Sequence, residues 1–193
     1  MLNPYSSVDP APPHPSHVNM SMPDLGDILA NSNLPLFDRY RAMFSLRNIG
    51  GQEAVEELCR VLVEDQSSAL LRHEVAYVLG QMQHPSSVEA LEKSLRRTNE
   101  HKMVRHESAE ALGAIDGRWE AVEPILNEFT QDEDEVVKES CLVALDAADY
   151  WQHDKSNDVG DEVENANPAN EPSFAQAKAD NKPILQNHFN IAA

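Results

Sequence analysis

Apolar residues recur every three or four positions from about residue 34 to residue 150, which is the spacing of one face of an α-helix. No alternation of apolar and polar residues interrupts this pattern, so it predicts helices and no strands. Turn-forming pairs separate the helical segments, namely Gly50-Gly51, His84-Pro85 and Asp116-Gly117. The predicted fold class is therefore all-α.

An internal repeat of 33 residues organises these helices. Its most visible marks are a leucine and, seven positions earlier, a cation. The leucines are Leu46, Leu79, Leu112 and Leu145, and the cations are Arg39, Arg72, Arg105 and Lys138. A second helical segment follows each of the first three copies, so each unit is a helical hairpin that buries its apolar face against its neighbours. The repeat length and short turns resemble HEAT-like repeats, and we predict a superhelix (solenoid) of four such repeats over residues 34–150.

The two ends of the chain lack this periodicity. Residues 1–33 are rich in Pro, Ser, Asn and Asp, a composition typical of an extended, linker-like arm. Residues 151–193 are polar, acidic and broken by prolines, which predicts a disordered tail. Neither segment has enough apolar residues to bury a core of its own.

Charge and cysteine content narrow the functional classes. The 15 Lys and Arg residues are outnumbered by 33 Asp and Glu, a net charge of -18, which argues against nucleic acid and an anionic membrane surface. It favours a basic protein partner or a cationic substrate group, although solubility alone also explains acidity. Two cysteines, no apolar run long enough for a bilayer and no signal-peptide pattern predict a cytoplasmic protein. No nucleophile–base arrangement or phosphate-binding glycine loop supports a hydrolase or a nucleotide-binding protein.

Two His-Glu pairs in the same register are the strongest chemical signal. The two residues after the repeat cation differ between repeats, and only the middle repeats carry His73-Glu74 and His106-Glu107. Equivalent residues on stacked helices lie about 10 Å apart, so two imidazoles can close on one ion through bonds of about 2 Å. Imidazole and carboxylate without thiolate suit iron, manganese or zinc. We therefore predict His73, Glu74, His106 and Glu107 as metal ligands, with ordinary solvated helix residues as the alternative.

At these motifs the sequence resembles the deoxyhypusine hydroxylase family. The resemblance covers about residues 5–150 and matches the C-terminal half of the family. It is carried by Phe-Asp-Arg-Tyr-Arg-Ala-Met-Phe (37–44), Leu-Arg-His-Glu-Val (71–75), Val-Arg-His-Glu (104–107) and Lys-Glu-Ser-Cys (138–141). It implies two HEAT-like halves that face each other, with two His-Glu pairs in each half and the irons between them.

The resemblance also implies an O2-dependent monooxygenase with two Fe(2+) per complete site and O2 as co-substrate. Its substrate is a deoxyhypusine side chain on a translation initiation factor, a basic protein, and its product is hypusine. Carried onto this chain, His73 and His106 ligate one iron and Glu74 reaches across to the other. Glu107 faces the cationic substrate amine as the catalytic residue.

Because only half of the family's length is matched, three interpretations are open for the chain. It is a partial product of a hydroxylase gene, which we favour, a half that works with a second half-chain, or a half that pairs with itself as a homodimer. The competing functional class is a metal-free HEAT-repeat interaction module that retains vestigial His-Glu pairs.

Overall fold

The computed structural model describes residues 15–157, and its side chains through residue 148. The helices of this part are α1 (Met22–Ala30), α2 (Leu36–Ile49), α3 (Gly51–Glu64), α4 (Ala69–Met82), α5 (Val88–Arg96), α6 (Lys102–Gly113), α7 (Trp119–Phe129) and α8 (Glu135–Asn157). Two short 3-10 helices, Pro15–His17 and Pro85–Ser87, precede α1 and α5. No strand occurs in the described residues, so the predicted all-α class is confirmed.

The helices are arranged as the 33-residue repeat requires. Helices α2 and α3, and helices α6 and α7, pack as hairpins, and the first helices α2, α4 and α6 pack side by side in one row. The second helices α3 and α5 pack in another row. The repeat leucines Leu46, Leu79 and Leu112 have no exposed surface, which accounts for their appearance at a constant spacing.

Three of the four repeat cations, Arg39, Arg72 and Arg105, are buried and join one repeat to the next. The Arg105 Nε donates to the Leu95 carbonyl at 2.8 Å, and its two terminal nitrogens donate to Asp132 at 3.1 and 2.5 Å. Arg39 does the same two repeats earlier, since its Nε donates to the Leu29 carbonyl at 2.7 Å and a terminal nitrogen donates to Asp65. Each of these arginines thus satisfies a carbonyl near the end of the preceding helix and pairs with an acid in a later loop.

The arginine of the second repeat connects three segments. Arg72 donates to both carboxylate oxygens of Glu100 at 2.6 Å and to the Asp65 carbonyl at 3.2 Å. The Asp65 carboxylate is in turn paired with Arg39. The sequence showed the recurring cation but not the acid with which each arginine pairs. Each acid lies 26 to 28 residues after its arginine, in the pairs Arg39–Asp65, Arg72–Glu100 and Arg105–Asp132.

The predicted arm over residues 1–33 is wrong for residues 22–30, which form helix α1. The Ser21 side chain caps this helix by accepting from the Asp24 N–H at 3.2 Å. Leu25 and Leu29 have no exposed surface and pack with the core that includes α2 and α3. Met22, Ile28 and Ala30 pack against the same core. The apolar residues of this helix do follow helical spacing, but the helix has only nine residues and stands in a stretch rich in Pro, Ser and Asn, so the period did not stand out in the sequence.

The remaining expectations for the termini fall mostly outside the described residues. These are the rest of the arm, residues 1–14, and the predicted disordered tail beyond residue 157. Helix α8 continues to Asn157, past the predicted domain boundary at residue 150. No helix within residues 15–157 is long and apolar enough to cross a membrane.

Candidate metal centre

The site is built on two neighbouring first helices, α4 and α6, that approach each other closely. A Cβ added at Gly80 of α4 would lie 3.0 Å from the Cα and Cβ of Ala111 on α6. Because Gly80 has no side chain, the two backbones come together at this level. One to two turns earlier on the same helices, the rings of His73 and His106 have their centroids 5.7 Å apart.

Glu107 lies between the two imidazoles. Its Oε2 is 3.3 Å from the His73 Nε2 and 3.8 Å from the His106 Nε2. One ligand atom from each of these three residues falls within 4.8 Å of the other two. Atoms bound to one ion by bonds of about 2 Å are separated by roughly 3 to 4 Å, so small side-chain adjustments bring all three onto one ion.

One ring nitrogen at this site indicates what fits between the side chains. The His106 Nε2, which lies 3.8 Å from the Glu107 Oε2, is buried and has no hydrogen-bond partner among the described residues. The His73 Nδ1 is also buried, but it lies on the Glu74 side of its ring, 3.4 Å from the Glu74 Oε1. Buried polar atoms are normally hydrogen-bonded, and an unpaired imidazole nitrogen is a ready metal ligand. Two imidazoles and a carboxylate form a donor set that suits iron, manganese or zinc. The residues present therefore fit a divalent metal ion.

The carboxylates control the charge of His73. Its interactions with Glu107 first and with Glu74 second raise the pKa of His73 to about 9, although partial burial acts in the opposite direction. Without a metal, the His73 ring is therefore protonated on both nitrogens and positively charged at neutral pH. A metal ion that binds to one of these nitrogens has to displace its proton.

Glu74 lies apart from the group of three. Its Oε1 is 3.4 Å from the His73 Nδ1, and 28 % of its side chain is exposed, against 7 % for Glu107. Desolvation and the charge of Glu74 raise the pKa of Tyr40 to about 12, so this phenol of the preceding repeat stays neutral. The structure thus brings His73, His106 and Glu107 together, and it leaves Glu74 on the other side of the His73 ring.

Two further residues, Glu110 and Ser140, contact the site and were not predicted from the sequence. Glu110 Oε1 and Ser140 Oγ each lie 3.2 Å from the His106 Nδ1. Glu110 follows His106 by one helical turn, and Ser140 is the register equivalent of Glu107 in the next repeat. Both spacings are visible in the sequence, but an ordinary surface acid and serine give no chemical signal by themselves.

Residues 22–101 and 67–146 match the HEAT repeats family. The chain therefore belongs to the HEAT-repeat proteins, as its repeat and hairpin packing indicate. Within that class it is similar to proteins named deoxyhypusine hydroxylase. It is 53% identical to the one from Danio rerio over 148 residues, which is 77% of this chain and 46% of the relative. It is 50% identical to the one from Drosophila melanogaster over 148 residues, 77% of this chain and 47% of the relative.

A solved structure agrees with these relatives. The human deoxyhypusine hydroxylase in complex with glycerol superposes with a TM-score of 0.67 at 48% identity, covering 78% of this chain and 50% of that one. The resemblance predicted from the His-Glu motifs is confirmed. The chain spans about half the length of the relatives that it matches.

Proposed function

We propose that this chain forms half of an iron-dependent monooxygenase that hydroxylates a deoxyhypusine side chain on a translation initiation factor to form hypusine. The observation that carries the proposal is the group His73, His106 and Glu107, in which the His106 Nε2 is buried and has no hydrogen-bond partner among the described residues. The sequence identities of 53% and 50% to proteins named deoxyhypusine hydroxylase support this reaction.

In this proposal His73, His106 and Glu107 hold one Fe(2+). Iron bound by few protein ligands keeps positions open and supplies the activation of O2 that a hydroxylation needs. Glu107 offsets part of the ion's charge and, because it is buried, does so in a medium that strengthens the attraction. Its other carboxylate oxygen is left for the cationic substrate amine, the role that the family resemblance implies.

Glu74 is suited to a different position. Its more exposed carboxylate lies on the Nδ1 side of the His73 ring and outside the group of three, as a ligand for a second iron would have to. A complete site with two irons then needs ligands from a second half-chain or from another copy of this chain.

The charge of the chain fits a basic partner. With a net charge of -18, the protein attracts an amine carried by a basic protein, and this attraction weakens as salt screens it. Burial, aided by nearby acids, raises the thiol pKa of both Cys59 and Cys141 to about 12, which makes these free cysteines unreactive. Two unreactive free thiols are in keeping with a cytoplasmic location, and we include this location in the proposal.

Anaerobic titration with Fe(2+) tests the metal centre. The wild-type chain should bind about one Fe(2+), and His73→Ala or His106→Ala should weaken binding more than about 100-fold, since removal of a supporting residue alone costs 10–100-fold. The matched control is His101→Asn, which removes an exposed histidine at the start of α6 and keeps a capping side chain. Iron binding that survives both alanine substitutions would refute the proposal.

A second candidate function is a metal-free interaction module, and one feature favours it. Phe37, Leu70 and Met103 repeat at the 33-residue spacing and are 70, 59 and 40 % exposed. They stand one helical turn before Tyr40, His73 and His106 and so share their face. Exposed apolar residues in a row indicate contact with another protein. A wild-type chain that takes up no Fe(2+) would favour this function over the hydroxylase.

A further inference from the structure

The Nδ1 atom of His106 is one corner of a closed hydrogen-bonded triangle. It lies 3.2 Å from the Glu110 Oε1 and 3.2 Å from the Ser140 Oγ, and the Ser140 hydroxyl donates to the same Glu110 oxygen at 3.1 Å. Glu110 belongs to the same helix as His106, whereas Ser140 belongs to α8 of the next repeat. The triangle therefore joins two repeats behind the imidazole.

The hydrogen bonds of this triangle determine where the ring carries its proton. An ionised carboxylate can only accept, and the single hydroxyl hydrogen of Ser140 is already donated to Glu110. Both neighbours of the His106 Nδ1 therefore present acceptors, and a hydrogen on Nδ1 is needed to bond with either of them. In the neutral ring this leaves Nε2 without a hydrogen, and Nε2 is the atom that is buried, unpartnered and nearest to Glu107.

Close packing of α8 on α6 places Ser140 within reach. A Cβ added at Gly113 of α6 would lie 2.7 Å from the Cβ and 2.9 Å from the carbonyl oxygen of Ala144 on α8. Ala144 is one turn after Ser140 on that helix. The glycine thus lets α8 approach to the distance at which the Ser140 hydroxyl reaches the imidazole.

We propose that Glu110 and Ser140 are positioning residues that hold His106 in the tautomer with its hydrogen on Nδ1, so that the Nε2 lone pair is directed at the metal. The nature of the ion rests on the proposed function, but the tautomer does not. The pair acts through His106 and does not touch the ion itself. The hydrogen bond to a carboxylate also makes the ring a stronger donor.

Two measurements on the full chain test this inference. In the metal-free protein at a pH where the ring is neutral, 15N-detected NMR of His106 should show the hydrogen on Nδ1 in the wild type. The double variant Glu110→Ala/Ser140→Ala should show a mixture of tautomers. Titration with Co(2+), whose visible absorption reports its ligands, should show 10–100-fold weaker binding for the double variant than for the wild type.

Conservative and control variants separate positioning from folding. Ser140→Thr keeps the hydroxyl and should keep wild-type Co(2+) affinity, whereas Ser140→Ala should weaken it. Glu139→Ala removes an exposed carboxylate next to Ser140 and should change neither the tautomer nor the affinity. Thermal unfolding shows which variants are folded, and only their values are compared.

Several results would overturn the inference. A wild-type ring with its hydrogen on Nε2 contradicts it directly, and so does a double variant with unchanged tautomer and affinity. If the wild type bound neither Co(2+) nor Fe(2+), the proposed hydroxylase would fail. The tautomer would still decide whether Glu110 and Ser140 position His106.

Discussion

Removal of the buried Arg105 tests whether the repeat cations hold the repeats together. The variant Arg105→Met keeps most of the side-chain volume but removes the hydrogen bonds to the Leu95 carbonyl and to both oxygens of Asp132. The side chains of Arg105 and Asp132 are only 7 and 12 % exposed, so water replaces these bonds poorly.

The expected loss of stability follows from these contacts. Breaking a buried ion pair by removing one partner costs about 3–5 kcal/mol. Asp132 retains some exposure and remains an acceptor for the Asp134 N–H at 2.9 Å, so we reduce this cost to about 2 kcal/mol. The unpaired Leu95 carbonyl adds about 1 kcal/mol. The free energy of unfolding should therefore fall by about 3 kcal/mol, equivalent to about 6–12 °C in melting temperature.

Urea unfolding followed by far-ultraviolet circular dichroism measures this loss. The matched control is Lys138→Met, because Lys138 is the cation of the same register in the last repeat. Its side chain is 36 % exposed and lies 3.8 Å from a carboxylate that is 71 % exposed. Such a surface pair contributes at most about 0.5 kcal/mol. Burial, not the presence of a cation, should thus separate the two variants.

Two results would refute this reasoning. One is a loss of less than about 1 kcal/mol for Arg105→Met, and the other is an equal loss for Lys138→Met. A double-mutant cycle adds a check, because Arg105→Met and Asp132→Ala each remove the hydrogen bonds between these two side chains. Together they should cost at least about 1 kcal/mol less than the sum of the two single losses.

Two other predictions concern the same part of the molecule. Gly113→Ala should lower the free energy of unfolding by about 1 kcal/mol, because overpacking against Ala144 at 2.7 Å outweighs the helix propensity gained; raised thermal stability would show that α8 yields instead. The hydrogen bond from Arg105 holds the pKa of Asp132 below its ordinary value of 3.8, so just below pH 3.8 Asp132 takes up a proton in the unfolded chain but not in the folded one. The stabilisation by this pair is therefore complete above pH 3.8 and is lost as the pH falls towards the lower folded-state pKa. Urea unfolding at pH 6 and pH 3 should show this loss in the wild type, and an equal loss in Arg105→Met would contradict this cause.

The candidate site was partly predictable from the sequence. His73 and His106 stood out because a rare residue pair recurred at the repeat spacing, and equivalent positions on stacked helices are neighbours. The position of Glu107 between the two rings was not predictable, since it depends on side-chain torsions and on the separation of α4 and α6. The supporting roles of Glu110 and Ser140 were hidden for the same reason.

The sequence by itself determined the helical class, the 33-residue repeat and the register of the histidines. Each of these follows from local periodicity, because a helix exposes and buries its residues at a constant spacing. The tertiary structure alone decided which acid each buried arginine meets and how near the two imidazoles lie. Those outcomes depend on residues 26 to 34 positions apart and on close helix contacts such as that of Gly80 with Ala111. The pattern of residues along the chain does not determine the distance between two helices, because that distance is set by how their side chains pack.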